Sequence, residues 1–330
     1  FKTSQAQCVT VGKTPKVQVW GGDVKTEKDV KTSKSVIKDV VSSVSEKDIK
    51  KAVAQSSKHW IFGKGVHIDF QGETVVSAQA NNDVSPNIEG NEGTTVATDR
   101  LGNVKFFTDG KNIYDKNGNI KVSGLNAHAT TTQAAAVFPI KNNRYVIVTS
   151  SAASEDYKLG KLEYTVVDVS GGGVAVVGLK NQQFGNKSGE VIGESLTIAR
   201  NQDDTGYWVV VNFPGTNRMG AIAVPYEWDG NNGKAFSYVE SSLGGVAGTA
   251  SGGGYSPGFG SINFNNDQNK AVIAANADSK DRTIVKAMSF DRLSGKFTNV
   301  LAEWKIYRRD DQNEKGMMYS ADFSPKDNYI

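Results

Sequence analysis

The feature that most constrains the fold is a run of short strand-like segments joined by very tight turns at residues 94–119. Residues 94–99, 104–108 and 112–115 are rich in Val, Phe, Thr and Ile, and they are followed in turn by Gly-Asn, Asp-Gly and Asn-Gly turns. Such turns join adjacent antiparallel strands. The segment therefore predicts an antiparallel meander, which must stack on other sheets to bury its faces.

The same order of segments recurs along the chain. Further units open near residues 134, 194 and 260, each beginning with a small-residue strand followed by a strongly apolar one, and a last unit opens near residue 318 and is cut off at Ile330. Four-stranded units repeating at about 40–60 residues are typical of β-propellers. We therefore predict an all-β fold, a β-propeller of antiparallel four-stranded blades with six to seven blades when complete. A β-sandwich is the main alternative.

The ring predicted in this way is unfinished at Ile330. We expect the native chain to continue beyond Ile330, although strands near Val9 or Trp60 could instead complete the ring. Closure matters because it hides the edges of the blades.

The chain changes character near residue 59, and we predict three regions. Residues 1–22 form a leader with short strands, and residues 59–330 form the propeller. Residues 23–58 contain neither Gly nor Pro, are rich in Lys, and place apolar residues three and four positions apart, which predicts a short helical segment. Residues 45–48 have the form of a helix-capping box. A charged linker is the alternative, and docking is a possible role for either.

Composition excludes several classes of function. The net charge is +3 with acidic and basic residues mixed throughout, which argues against nucleic-acid binding. Cys8 is the single cysteine, so an internal disulfide is impossible, and no apolar run approaches the length of a membrane span. Residues 4–6 have the small-x-small form of a signal-peptidase site. This favours an exported, extracytoplasmic protein, with an ordinary strand leader as the alternative.

The sequence contains few candidates for catalysis. The histidines are His59, His67 and His128, and we expect the first two to lie near one strand pair. Acidic residues at predicted blade starts could form a glycosidase pair, but turn positions are the commoner role for such residues; they are Glu92, Glu194 and Asp322. We expect a buried Glu194 to accept hydrogen bonds from backbone amides or from a hydroxyl of a neighbouring blade. We predict no catalytic residues, no metal and no cofactor.

Two further segments could bind ligands. Oxygen-bearing side chains alternate over residues 115–119, as in calcium loops, but a hairpin turn explains them equally well. Residues 244–260 form a Gly-rich loop, which is either a linker between blades or a binding loop. Aromatic residues nearby could anchor a protein or stack on a sugar, although blade core is their commoner role. The predicted binding residues are Tyr226, Trp228, Tyr255, Phe259 and Glu194.

Several motifs resemble a β-propeller family common in exported proteins of the Bacteroidetes. They are W-I-F-G at 60–63 with I-D-F at 68–70, T-T-V-A-T-D through D-G at 94–110, K-L-E-Y-T-V-V-D at 161–168, E-S-L-T at 194–197 with Y-W-V-V at 207–210, and F-S-P-K-D at 323–327. The resemblance covers about Trp60 to Ile330. The turn at 264–267 and the loop at 244–260 depart from the family pattern.

The resemblance implies a function without catalysis. Members of this family accompany surface adhesins, gliding-motility proteins and type IX secretion components. We therefore expect a protein-binding module in an outer-membrane secretion or gliding complex, which does not itself span the membrane. A cell-surface adhesin that binds glycan or protein, and a propeller-type glycan hydrolase, are the alternatives.

Overall fold

The described part of the chain is built from antiparallel β-sheets. The computed structural model describes residues 59–62, 66–69, 77–80, 92–99, 101–152, 160–184, 192–214, 216–233, 236–243, 260–278, 282–307, 320–324, 327 and 330. These residues contain five sheets and no helix. The predicted all-β class is confirmed. The predicted helical segment at 23–58 and the leader at 1–22 lie outside the described residues.

The first two sheets follow chain order. The first sheet comprises β1 (His59–Phe62), β2 (Val66–Asp69) and β3 (Ser77–Ala80). The second comprises β4 (Thr95–Thr98), β5 (Val104–Thr108), β6 (Asn112–Asp115) and β7 (Ile120–Ser123). The second sheet is the meander predicted from the turns at 94–119, and each of its strands pairs with the next one along the chain.

The remaining three sheets repeat this plan with longer strands. The third comprises β8 (Ala135–Ile140), β9 (Arg144–Ser150), β10 (Leu162–Asp168), β11 (Ala175–Val176) and β12 (Gln182–Gln183). Both short strands, β11 and β12, pair with β10 and act as one interrupted fourth strand. The fourth comprises β13 (Leu196–Arg200), β14 (Gly206–Phe213), β15 (Arg218–Pro225) and β16 (Ser237–Ser241). The fifth comprises β17 (Gly260–Phe264), β18 (Lys270–Asp278), β19 (Arg282–Asp291) and β20 (Lys296–Tyr307).

Successive sheets pack face to face in chain order. Their first strands contact one another in sequence, β1 with β4, β4 with β8, β8 with β13, and β13 with β17. Outer strands also meet, β7 with β11 and β16 with β20. In consecutive propeller blades, the first strands contact one another on one side and the outer strands contact one another on the other side. The structure therefore supports a propeller-like fold, and the number of blades in a complete ring stays a prediction.

The hydrophobic core consists of layers between sheets, because alternate side chains of each strand point to opposite faces. Between the third and fourth sheets lies a layer that contains Phe138, Val146, Tyr207 and Val209. The layer between the fourth and fifth sheets contains residues such as Val210, Met219, Ile273 and Phe290. Val209 and Val210 are neighbours in β14 and belong to different layers, so this central strand has apolar side chains on both faces and is entirely buried.

The last described residues pack against the fifth sheet as the first strand of a further unit would. Ala321 and Phe323 lie on Val272 and Val285 at the face turned away from the fourth sheet. The Asn263 side-chain amide donates to the Ala321 carbonyl oxygen at 2.8 Å. This placement agrees with the prediction that another unit opens near residue 318.

Candidate functional site

Polar side chains collect where the first strands of the third, fourth and fifth sheets begin. Glu194 and Ser195 precede β13, Thr132 precedes β8, and Ser261 lies at the start of β17. All four are buried. The Ser195 hydroxyl donates to the Gly260 carbonyl oxygen at 3.0 Å, which ties the fourth sheet to the fifth. This cluster is polar, in contrast to the apolar layers between the sheets.

Glu194 is fully buried, and its carboxylate accepts two hydrogen bonds from Thr132. The hydroxyl of Thr132 donates at 2.6 Å and its backbone N–H at 3.2 Å, both to Oε2. Since β8 and β13 belong to neighbouring sheets, the expected bonds to a backbone amide and a hydroxyl of the next blade are confirmed. Glu194 thus supports the packing of two sheets, while Glu92 and Asp322, the other predicted acids, are exposed.

Gln133 links three sheets, and sequence analysis missed it. Its side-chain oxygen accepts the backbone N–H of Leu196 at 3.1 Å and that of Ile262 at 2.9 Å. Its side-chain nitrogen donates to the Ile262 carbonyl oxygen at 3.0 Å. One half-buried amide therefore joins the start of the third sheet to the first strands of the fourth and fifth.

The predicted binding residues Tyr226 and Trp228 lie at the other end of the first strands. Lys141 follows the end of β8, and its backbone N–H donates to the Tyr226 carbonyl oxygen at 2.9 Å. A cleft of about 440 Å³ opens here, and its lining includes Lys141, Glu227 and Trp228. The Lys141 ammonium donates to the Glu227 carboxylate at 2.8 Å, and this bond raises the lysine pKa. Glu194 is at the opposite end, so the predicted residues do not form one site.

Trp228 is mainly a core residue. Its ring is only 8% exposed and packs edge-on against Tyr164 and Phe236, with ring centroids 5.7 and 5.0 Å away. The indole N–H donates to the Asn232 carbonyl oxygen at 3.2 Å. Blade core, the alternative role for these aromatic residues, is thus the one that Trp228 fills. Tyr255 and Phe259, the other predicted aromatic binding residues, lie outside the described residues.

Two histidines of the first sheet lie close together. His59 and His67 lie on the paired strands β1 and β2, which confirms their expected proximity. Their ring nitrogens Nδ1 and Nε2 are 3.2 Å apart, and His59 Nε2 lies 2.8 Å from the Gly102 carbonyl oxygen in the second sheet. Because only a protonated nitrogen can donate to that carbonyl, Nδ1 of neutral His59 accepts from His67. Burial, and then the proximity of His59, lower the pKa of His67, opposed by Asp69.

The turn at residues 115–119 is a hairpin turn stabilised by its own side chains. Oδ1 of Asp115 accepts the backbone N–H groups of Asn117 and Asn119 at 2.9 and 3.0 Å. Lys121 lies 3.1 Å from Oδ2. Burial alone would raise the pKa of the Asp115 carboxyl, but hydrogen bonds from Asn119 and Lys121 hold it below its ordinary value. The arrangement agrees with the turn interpretation, because this carboxylate is already engaged on both oxygens.

The turn that begins at Asp99 repeats this arrangement. Its carboxylate accepts from Leu101 and Asn103 and pairs with Lys105 at 3.0 Å. Among the described residues, no three His, Cys, Asp or Glu side chains are placed to hold a metal ion.

Three exposed apolar side chains lie on β20, which forms the outer edge of the fifth sheet. Val300, Leu301 and Trp304 are 45%, 51% and 44% exposed. Trp304 is paired with Val285, and opposed residues in an antiparallel pair point to the same face. Trp304 therefore continues the apolar face that Phe323 covers closer to the axis. Val300 is opposed to Met288 and points to the other face, toward the fourth sheet. An exposed tryptophan on an outer strand is a candidate for an interaction surface.

Comparisons with known proteins give no family. No family model and no curated protein matches the chain. Solved structures that it resembles include a DUF4221 family member from Bacteroides vulgatus (TM-score 0.35, 9% identity, 73% of this chain and 74% of that one). They also include Kuenenia stuttgartiensis hydrazine synthase (0.30, 12%, 65% and 46%) and an exo-β-1,3-galactanase from Phanerochaete chrysosporium (0.32, 12%, 64% and 42%).

The matched region therefore spans less than half of the synthase and of the galactanase. Similarity at this level transfers neither a substrate nor a partner. In the described ranges, no helix has the length and apolar character needed to cross a bilayer.

Proposed function

We propose that this chain is a non-catalytic, extracytoplasmic propeller module that binds a protein partner in an outer-membrane complex of the type IX secretion or gliding-motility kind. The observation that carries the protein-binding part is Trp304, which is 44% exposed on the outer strand β20, beyond the part of the same face that Phe323 covers. Tryptophan is among the residues that contribute most to protein interfaces. The cellular setting comes from the family resemblance of residues 60–330.

The fold holds Trp304 on a well-supported strand. β20 pairs along its length with β19, whose residues Val285, Ala287 and Met288 are buried. A side chain on such a strand is presented with little backbone freedom, so less conformational entropy is lost on binding than from a flexible loop. Outer-strand residues therefore suit a stable, specific interface.

Comparative affinity purification from the native host tests the proposal. Tagged wild type is compared with Trp304→Ala and with the matched control Leu101→Ala, whose side chain is 73% exposed on the second sheet. Partners are quantified by mass spectrometry, and thermal unfolding verifies that both variants fold. Because truncating an interface tryptophan commonly costs about 2 kcal/mol or more, we expect at least a tenfold loss of one partner in Trp304→Ala alone.

Two outcomes would overturn the proposal. One is recovery of every partner in equal yield from all three proteins. The other is a protein that purifies alone and hydrolyses glycans, which would favour the glycan hydrolase instead.

A further inference from the structure

The outer strand of the fifth sheet is much longer than those of its neighbours. β7 and β16 have four and five residues, and β11 and β12 have two each, whereas β20 has twelve. Short outer strands protect a sheet edge, because they leave few backbone N–H and C=O groups for another strand to pair with. In the described part of the chain, β20 departs from this rule.

Only one portion of β20 is regular. The pairing with β19 shifts register between Ser289 and Phe290 and again between Ala287 and Met288, which places bulges near Thr298 and Leu301. Bulges twist an edge and hinder pairing. Residues 302–307, in contrast, pair one to one with residues 282–287. This six-residue stretch is therefore the part of the edge that can accept a strand.

The side chains of this stretch alternate in character. Trp304 and Ile306 are opposed to Val285 and Thr283 and point to the face turned away from the fourth sheet. Glu303 and Lys305 point to the other face, and their side chains are 36% and 53% exposed. One face of the edge is thus apolar. On the other face, Glu303 is paired with Lys286 at 3.3 Å and lies 3.9 Å from Lys305, so Lys305 is the more exposed of the two charges on β20.

We propose that residues 302–307 bind an extended strand of a partner protein, which joins the fifth sheet through backbone hydrogen bonds. This inference rests on the proposed function and specifies its binding mode. Backbone pairing supplies affinity, and alternate side chains supply specificity. The partner strand carries apolar residues beside Trp304 and Ile306 and an acidic residue beside Lys305.

The probe is a displayed library of random 12-residue peptides, selected in parallel against the purified wild type and against Lys305→Glu. We expect wild-type selection to enrich peptides that alternate apolar and polar residues and carry an acidic residue among the polar ones, opposite Lys305. The variant should enrich peptides in which the acidic residue is replaced by a basic one. A wild-type peptide should bind Lys305→Glu about tenfold more weakly, since attraction between cross-strand charges becomes repulsion.

Lys296→Glu is the matched control, because it makes the same charge change on β20 before both bulges. It should leave the selected peptides and their affinities unchanged. Peptides without alternation, the same peptides from both selections, or equal effects of the two substitutions would each overturn the proposal.

Hydrogen exchange of the peptide complex separates this proposal from the proposed function. Strand addition should slow exchange at alternate amides of residues 302–307, because every second N–H of a strand points to its open edge. If Trp304→Ala loses a native partner while no peptide protects this stretch, the interface stands and strand addition is wrong. If no native partner depends on Trp304, the proposed function itself is wrong.

Discussion

Replacing Gln133 with Ala should lower the free energy of unfolding, because it weakens the contacts among the third, fourth and fifth sheets. The substitution removes the acceptor of two backbone N–H groups, on Leu196 and Ile262, and the donor to one carbonyl oxygen. Each such bond contributes about 0.5–1.5 kcal/mol net, so the three together contribute roughly 1.5–4.5 kcal/mol. Because Gln133 is only half-buried and water can reach part of the site, we expect a loss of about 2–3 kcal/mol.

Urea unfolding followed by tryptophan fluorescence and circular dichroism measures this loss. Gln182→Ala is the matched control, since that exposed side chain makes one local bond to the Lys180 carbonyl oxygen. The control should change the free energy of unfolding by no more than about 0.5 kcal/mol. If Gln133→Ala is as stable as the control, the bonds at the start of the first strands do not hold the sheets together.

Two further predictions concern contacts between sheets. Arg292 donates from three nitrogens to the carbonyl oxygens of Arg200, Asn201 and Asp267. Both Arg292→Ala and Arg292→Lys should therefore lower the free energy of unfolding, by about 2 kcal/mol for Ala, because lysine cannot reproduce the three-nitrogen geometry of the guanidinium. A lysine variant as stable as the wild type in urea unfolding would contradict this prediction. The pKa of His67 is lowered in the fold, so protection of β1 and β2 from hydrogen exchange should fall as pH drops through about 6.5, the ordinary histidine value. His67→Gln should abolish this pH dependence, and the control His128→Gln should retain it. Protection of β1 and β2 that does not change with pH in the wild type would contradict this prediction.

Much of the fold could be predicted because its signals are local. The hairpin turns of the second sheet need residues with positive φ, and Gly102 and Gly118 have φ of 89° and 84°. Such glycines are visible in a single sequence, as is the alternation of the strands between them. The recurrence of units near residues 134, 194 and 260 likewise predicted the order of the sheets along the chain.

The functional surface could not be predicted, because exposure depends on neighbours that are distant in sequence. Trp228 and Trp304 are both tryptophans near sheet edges, yet the first packs on Tyr164 and the second faces solvent. β20 did not stand out as a strand, since its two bulges interrupt the alternation of apolar and polar residues. The role of Gln133 could not be predicted either, because its hydrogen-bond partners lie 63 and 129 residues away in the sequence.

The most direct test is site-specific photo-cross-linking in the native host. A benzophenone amino acid replaces Trp304 in one variant and Leu101, on the exposed turn of the second sheet, in another. A protein that binds through β20 should cross-link to one partner from position 304, and the linked peptide of that partner should be an extended, alternating segment. Identical cross-links from both positions, or none from position 304, would contradict a partner interface on this strand.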